Sequence, residues 1–240
     1  MKSSFSIAKS TYSWVWLSKI LILKSLLPIL FICLVAVYFD SIPLIFISLI
    51  LGCYYTATIM VQVHRTIISG ISADDIKMFP KIEKTFFLYL GAWFVLSIVE
   101  KIYDKIMDRI LFDANLFLGI IGIILSLVFV YVGTRVYLLF PILAVKNKLD
   151  FRLAFFLSKD KFWIIFNSFL LMLLPLTIFF MAMFGLIVLV LEGLNADFHW
   201  QMVGLFGLYF VTFTIFNIHY SLLFLELDKD QKTQMLSKTN

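Results

Sequence analysis

Residues 162–191 are FWIIFNSFLLMLLPLTIFFMAMFGLIVLVL, a stretch of 30 residues without one charged side chain. About 20 apolar residues are enough for an α-helix to cross the hydrocarbon core of a bilayer, so this stretch predicts a transmembrane helix. The whole chain is 62% apolar and 15% charged. Soluble domains carry about 25% charged residues, and this composition therefore excludes a soluble helical bundle.

Five further apolar blocks flank this stretch, and charged loops separate the six. We predict spans at residues 20–39, 42–63, 85–99, 116–140, 162–191 and 202–225. The third block is short, and it reaches full length either by drawing on residues 79–82 or by continuing through Ile102 and Tyr103. The predicted fold is an all-α membrane protein, one polytopic domain of residues 1–240. Its six transmembrane helices form three hairpins, with short interfacial helices on the cytoplasmic side.

The basic residues predict the orientation of these spans. Of the 20 Lys and Arg residues, 17 fall in the termini and in the loops that share their side, and 3 fall on the opposite side. Short loops rich in Lys and Arg stay in the cytoplasm, so both termini are predicted to be cytoplasmic. The net charges are +9 inside and −4 outside. The basic pI is therefore explained by basic residues that set the orientation and face anionic membrane lipids. Nucleic acid is not a predicted partner.

A mixed basic and aromatic segment precedes each odd-numbered span, at residues 10–19, 73–84 and 149–161. We interpret these segments as helices on the inner membrane surface. Pro141 is expected to stop or bend the fourth block, which would leave residues 136–145 along the membrane surface. The segment from Leu149 to Lys161 either anchors a loop to anionic lipid or docks a membrane or cytosolic protein partner.

Arg65 and Arg135 occupy equivalent places at the inner ends of the second and fourth spans. Each is followed by apolar residues that would hold it at the depth of the lipid phosphates. A planar guanidinium can grip two phosphate oxygens at once, so both are candidate headgroup ligands. The alternative is an ion pair with Glu226.

Polar residues inside spans are the other candidates for function. Asn167 lies in the fifth block, and Asn217 and His219 lie in the sixth. They either form hydrogen bonds between helices or line a path for a substrate or a proton. A cavity at mid-membrane that joins them to a kink at Pro175 would favour transport. A filled core with an open basic inner surface would favour an accessory role.

Two stretches near the middle of the chain resemble a known family. Residues 135–145, RVYLLFPILAV, and 154–165, AFFLSKDKFWII, are similar to the core signature of the YciC-like bacterial six-helix inner-membrane proteins. Relatives of that family include the membrane domain of some glycerophosphodiester phosphodiesterases. This chain departs at Phe156, where tryptophan is common, and at Asp160, where glycine is common. The resemblance implies an envelope membrane protein concerned with lipid, and the six spans leave no residues for the phosphodiesterase itself.

No motif for catalysis, phosphate binding or metal binding occurs in the sequence, so we predict neither an enzyme nor a cofactor. The acidic residues that begin at Glu100 alternate with Lys101, Lys105 and Arg109 at helical spacing, which is typical of a solvated helix in an outer loop. Two classes of function remain. The first is an accessory or structural protein that acts through anionic lipid or protein contacts, and the second is a small transporter with a site between the hairpins.

Overall fold

The structure, a computed structural model, describes residues 3–38, 42–70, 83–112, 116–193 and 198–239. Apart from short turns and caps these residues are helical, and they contain no strand. The all-α class is therefore confirmed. In chain order the helices are α1 (Ser4–Leu17), α2 (Lys19–Tyr38), α3 (Ile42–Ser69), α4 (Lys84–Phe112), α5 (Leu116–Val136), α6 (Leu139–Lys146), α7 (Phe151–Leu157), α8 (Phe162–Gly193) and α9 (Phe198–Thr239).

Four stretches of these helices are long and apolar enough to cross a membrane. They are Lys84–Ile110, Phe117–Lys146, Phe162–Val190 and Val203–Asp230. Large apolar side chains cover the outer faces of the first three, and Leu174 and Ile178 of α8 are 65% and 64% exposed. Contiguous apolar surface on this scale is stable in lipid and unstable in water. The chain is thus a membrane protein, while spans in α2 and α3 stay predictions.

The third predicted span, residues 85–99, is too short. Helix α4 begins at Lys84 and continues to Phe112, so it gains its length through Ile102 and Tyr103. Residues 71–82, which include most of the predicted surface segment at 73–84, lie outside the described residues. Beyond residue 99 the helix is charged, and Lys101 pairs with Asp104 at 3.7 Å one turn away. The helical spacing of these charges is confirmed.

Helix α9 lies at the centre of the bundle, where it contacts α1, α2, α3, α6, α7 and α8. Asn217, His219 and Ser221 on this helix are all buried. Polar side chains in a membrane bundle face its interior because their exposure to lipid is costly. Close approach also helps, since a Cβ atom added to Gly207 would lie 2.9 Å from the side chain of Leu30 in α2.

Helix α1 packs into the bundle along α8 and α9. The Ser4 hydroxyl donates to the Ile164 carbonyl at 3.1 Å, and the Tyr12 hydroxyl donates to the Met172 carbonyl at 2.5 Å. Equal spacing of the two contacts shows that α1 and α8 run parallel. The prediction of a surface helix at residues 10–19 is therefore wrong, because tertiary contacts outweigh its mixed composition. The buried side chains of α1 are Ile7, Ala8 and Thr11.

The fourth apolar block breaks earlier than Pro141 suggests. Helix α5 ends at Val136, residues 137 and 138 form a turn, and α6 begins at Leu139. Pro141 is the third residue of α6, where a backbone N–H would have no intrahelical acceptor, so proline is tolerated there. Residues 139–144 are all buried, and α6 contacts α3, α4 and α9. The prediction that residues 136–145 lie along the membrane surface is wrong.

Helices α5 and α6 together run antiparallel to α4. At one end Gly122 lies against Ile110, and at the other the Thr85 hydroxyl donates to the Asn147 side chain at 2.5 Å. Contacts also join α2 to α3 and α8 to α9. These are the pairs that three hairpins require, but residues 39–41, 113–115 and 194–197 lie outside the described residues. The three-hairpin arrangement stays a prediction.

Candidate functional site

Arg65, one of the two predicted headgroup ligands, is bound by the protein itself. Its Nε donates to the Ala144 carbonyl at 2.7 Å, and an Nη donates to Asn147 Oδ1 at 2.9 Å. Another nitrogen lies 2.8 Å from a carboxylate oxygen of Glu83. Asn147 caps the C-terminus of α6 and has a φ of 56°. Because Arg65 binds Asn147 and the nearby Ala144 carbonyl, its guanidinium lies at the negative end of the helix dipole. Arg65 therefore joins α3 to α6 and to the start of α4. The carboxylate that pairs with it is that of Glu83, whereas the sequence analysis considered Glu226.

Arg135, the other predicted headgroup ligand, packs against aromatic rings. Its guanidinium carbon lies 4.1 Å from the ring centre of Tyr131 and 5.7 Å from that of Phe155. Such cation–π contacts hold a guanidinium in place and leave its N–H donors available. The Nε atom is buried, and no described residue provides it with an acceptor. Arg135 is thus a positioned, partly buried cation with an unused donor.

Asn217 belongs to a buried polar network that joins α3, α4 and α9. The Tyr89 hydroxyl donates to Asn217 Oδ1 at 2.5 Å, and Asn217 Nδ2 donates to the Phe213 carbonyl at 2.7 Å. His64 Nε2 lies 3.2 Å from the Tyr89 hydroxyl, and His64 Nδ1 lies 2.6 Å from the Ser221 hydroxyl. These contacts link buried polar groups of α3, α4 and α9, as interhelical pairing in a membrane bundle requires.

His219 forms a second polar cluster, on the α1 and α8 side of α9. Its Nδ1 lies 3.1 Å from the Thr11 hydroxyl, and its Nε2 lies 3.4 Å from the Ser168 hydroxyl. Each of these hydroxyls also donates to a carbonyl of its own helix. The imidazole is fully buried. His219 therefore connects three helices, which is the structural alternative that its sequence position left open.

The described residues do not assemble the transport cavity that the sequence analysis considered. Asn167 is exposed on the outer face of α8, away from Asn217 and His219. Helix α8 continues without a break through Pro175. The free space beside Asn217 measures about 10 Å³, which is near the minimum for a single water molecule.

A groove of about 580 Å³ lies between α4 and the α5–α6 pair. This volume is within the range of about 300–1,000 Å³ that is common for ligand sites. Its wall carries the carboxylate of Glu100, which accepts a hydrogen bond from the Tyr137 hydroxyl at 2.6 Å. The rest of the wall is apolar or glycine and includes Phe87, Gly91, Val95, Val99, Phe129, Val132, Gly133, Val136, Phe140, Leu149 and Phe151.

The sequence analysis missed this groove and assigned Glu100 to the acidic outer loop. Glu100 is partly buried in the groove wall, and its partner Tyr137 follows the end of α5. A signal was present, because Leu96 and Tyr103 place apolar side chains one helical turn to either side of Glu100. A carboxylate on an apolar helix face indicates a packed partner more than a solvated loop.

The segment from Leu149 to Lys161 contains α7, whose two faces differ. Asp150 begins the helix by accepting a hydrogen bond from the Leu153 amide at 3.0 Å. Ala154 and Leu157 are buried against neighbouring helices, whereas Phe151 and Phe156 are exposed. Exposed aromatic and basic side chains on one short helix agree with an interfacial location, which stays a prediction.

Comparison of the chain with protein-family models, with curated proteins and with solved structures found no match. The resemblance to the YciC-like family therefore remains a prediction from the residues. Asp160, one of the two departures from that family, has a φ of 58°. This left-handed conformation favours glycine, the residue that is common at that place in the family.

Proposed function

We propose that the chain is an accessory protein of a bacterial inner membrane that binds anionic lipid headgroups on the cytoplasmic side. In this proposal it has six spans and two cytoplasmic termini, and it acts through lipid contacts without catalysis. Arg135 is the phosphate ligand. Arg65 supports the helices instead, because the Ala144 carbonyl, Asn147 and Glu83 already occupy its donors.

The observation that carries this proposal is the partly exposed guanidinium of Arg135, which the rings of Tyr131 and Phe155 hold in place. A phosphate oxygen fits, since a planar guanidinium binds phosphate through two parallel N–H donors. Arg152 and Lys159 are exposed on and just after the adjacent α7, and they add positive charge at the same end of the bundle.

The polar interior argues for this accessory role over transport. Asn217 and His219 donate to or accept from neighbouring helices, and Asn167 points out of the bundle. A transport site needs polar groups that a substrate can reach. The buried polar groups that the structure describes serve helix packing.

The test is retention of anionic lipid by the variant Arg135→Gln. Protein purified from membranes is analysed by native mass spectrometry for the ratio of bound phosphatidylglycerol to bound phosphatidylethanolamine. One basic residue near an anionic leaflet contributes about 1 kcal/mol, so we expect the ratio to fall roughly 5-fold. Arg135→Lys should retain part of the preference, because an ammonium keeps the charge and lacks the fork.

Arg109→Gln is the matched control. Arg109 is an exposed arginine in the last turn of α4. In the proposed topology this turn lies on the outer side of the membrane, so the variant removes the same charge from the side opposite Arg135. We expect it to leave the lipid ratio unchanged. An equal ratio in native protein and in Arg135→Gln would show that Arg135 is not a headgroup ligand.

A further inference from the structure

The groove between α4 and the α5–α6 pair has the dimensions of a lipid chain. It follows α4 from Phe87 to Glu100, and 13 residues of helix measure about 20 Å at 1.5 Å each. The hydrocarbon core of a bilayer is about 30 Å thick, so the acyl chains of one leaflet span about 15 Å. The groove is therefore long enough for the ordered part of one acyl chain.

The chemistry of the wall matches the same occupant. Apart from Glu100 and the Tyr137 hydroxyl, the side chains that line the groove are aliphatic or aromatic. The Tyr137 hydroxyl donates to Glu100 at 2.6 Å, so the carboxylate already has a donor from the protein. A polar solute would find few hydrogen-bond partners along this wall, whereas the methylene groups of an acyl chain need none.

Basic side chains lie at the end of the groove marked by Phe87 and Leu149. Lys84 begins α4 and Lys146 ends α6, and both are exposed. Lys148 is also exposed and stands 4.0 Å from Asp150, at the limit of an ion pair. The groove is thus apolar along its length, and exposed lysines lie at its Phe87 end.

Arg135 lies close to this groove along two helices. Val132, Gly133 and Val136 of α5 line the groove, and Arg135 stands among them on the α7 side of the same helix. On α7, Phe151 lines the groove and Phe155 contacts Arg135 one helical turn later. A phosphate held by Arg135 is therefore near the place where its acyl chain would enter.

We propose that this groove holds one acyl chain of an anionic diacyl phospholipid whose phosphate lies at Arg135. The proposal rests on the proposed function for the headgroup and adds a separate site for the chain. It makes the protein selective for a lipid by two features, the charge of its headgroup and the fit of its chain.

Two glycines in the groove wall allow a direct test. A Cβ atom added to Gly91 or to Gly133 meets no atom within 4 Å, so a larger side chain can enter the groove without a clash. Leucine at either position would occupy the space of the acyl chain. Gly119→Leu is the control, because its added Cβ is equally free of neighbours and Gly119 does not line the groove.

The experiment measures total phospholipid retained by Gly91→Leu, Gly133→Leu and Gly119→Leu after matched detergent washing, by native mass spectrometry. Melting temperature is recorded for each variant. We expect the amount of bound phospholipid, with either headgroup, to fall roughly 5-fold in Gly91→Leu and Gly133→Leu, because packing between the helices and the acyl chain is removed. The melting temperature of these two variants should not fall. Gly119→Leu should retain lipid as the native protein does.

The outcomes separate this site from the headgroup proposal. Native retention in both groove variants, with a reduced lipid ratio in Arg135→Gln, would overturn the chain site and leave the headgroup site standing. Loss of lipid in the groove variants with a native ratio in Arg135→Gln would do the reverse. If Gly91→Leu unfolds, lipid retention by Gly133→Leu, on the opposite wall, tests the chain site. Unfolding of both variants would show that the groove has no room for a chain and would overturn the proposal.

Discussion

The Nε of Arg65 donates a hydrogen bond to the carbonyl oxygen of Ala144 across 2.7 Å, so a side chain of α3 closes the end of α6. The last carbonyls of a helix have no intrahelical donor. A guanidinium satisfies one here and interacts favourably with the negative end of the helix. This contact explains how an eight-residue helix that contains a proline is held inside the bundle.

We expect Arg65→Gln to destabilise the protein by about 2–3 kcal/mol, because it removes a charge-assisted hydrogen bond and leaves Glu83 without its partner. Arg65→Lys should recover less than half of this loss, since an ammonium cannot reach the Ala144 carbonyl and Asn147 at once. Reversible unfolding in mixed micelles measures the change. Arg152→Gln, at an exposed arginine on α7, is the control and should change stability by under about 0.5 kcal/mol. Equal stabilities for the Arg65 and Arg152 variants would contradict this account.

The hydrogen bond from Tyr89 to Asn217 can be measured by a double-mutant cycle. Tyr89→Phe, Asn217→Leu and the double variant should show a coupling energy of about 1 kcal/mol, which is typical of hydrogen bonds between membrane helices. Tyr103→Phe combined with Asn217→Leu is the control. Tyr103 lies 14 residues further along α4, about 21 Å away, so this pair should be additive. A coupling energy near zero for Tyr89 and Asn217 would show that the contact adds no stability.

The left-handed backbone at Asp160 predicts opposite effects for two small substitutions. Asp160→Gly should leave stability unchanged or raise it, since glycine adopts a φ of 58° without strain. Asp160→Ala should destabilise by about 1 kcal/mol, because a Cβ atom is unfavourable in this region and alanine has no polar group to compensate. Lys159→Gly, at a neighbour without positive φ, is expected to destabilise. Equal melting temperatures for the glycine and alanine variants at residue 160 would refute the prediction.

The number of spans can be decided with reporters at two places. Four or six spans both leave the termini on one side, so a reporter after Asn240 tests orientation alone. A periplasmic phosphatase inserted after Asp40 tests the count, because residue 40 lies outside the cytoplasm only if α2 and α3 both cross the membrane. We expect the phosphatase to be active after Asp40 and inactive after Asn240. Inactivity at both places would reduce the six predicted spans to the four that length and composition already support.

Hydropathy and charge alone establish the helical class and the membrane environment. A long uncharged block such as residues 162–191 has one stable conformation in lipid, and this is a property of the segment itself. The same local logic identified the polar residues of α9, since Asn217 and His219 had to find partners inside the bundle. The helical spacing of Lys101 and Asp104 was equally visible.

Which helices meet, and what lies between them, depends on tertiary packing. No local pattern shows that α9 is central, that α1 packs against α8, or that Arg65 is occupied while Arg135 keeps a free donor. The groove between α4 and the α5–α6 pair has the same origin, because Glu100 and Tyr137 become neighbours only when these helices assemble. Hydropathy assigns each segment to lipid or water, whereas the partner of a buried group depends on contacts between residues far apart in the chain.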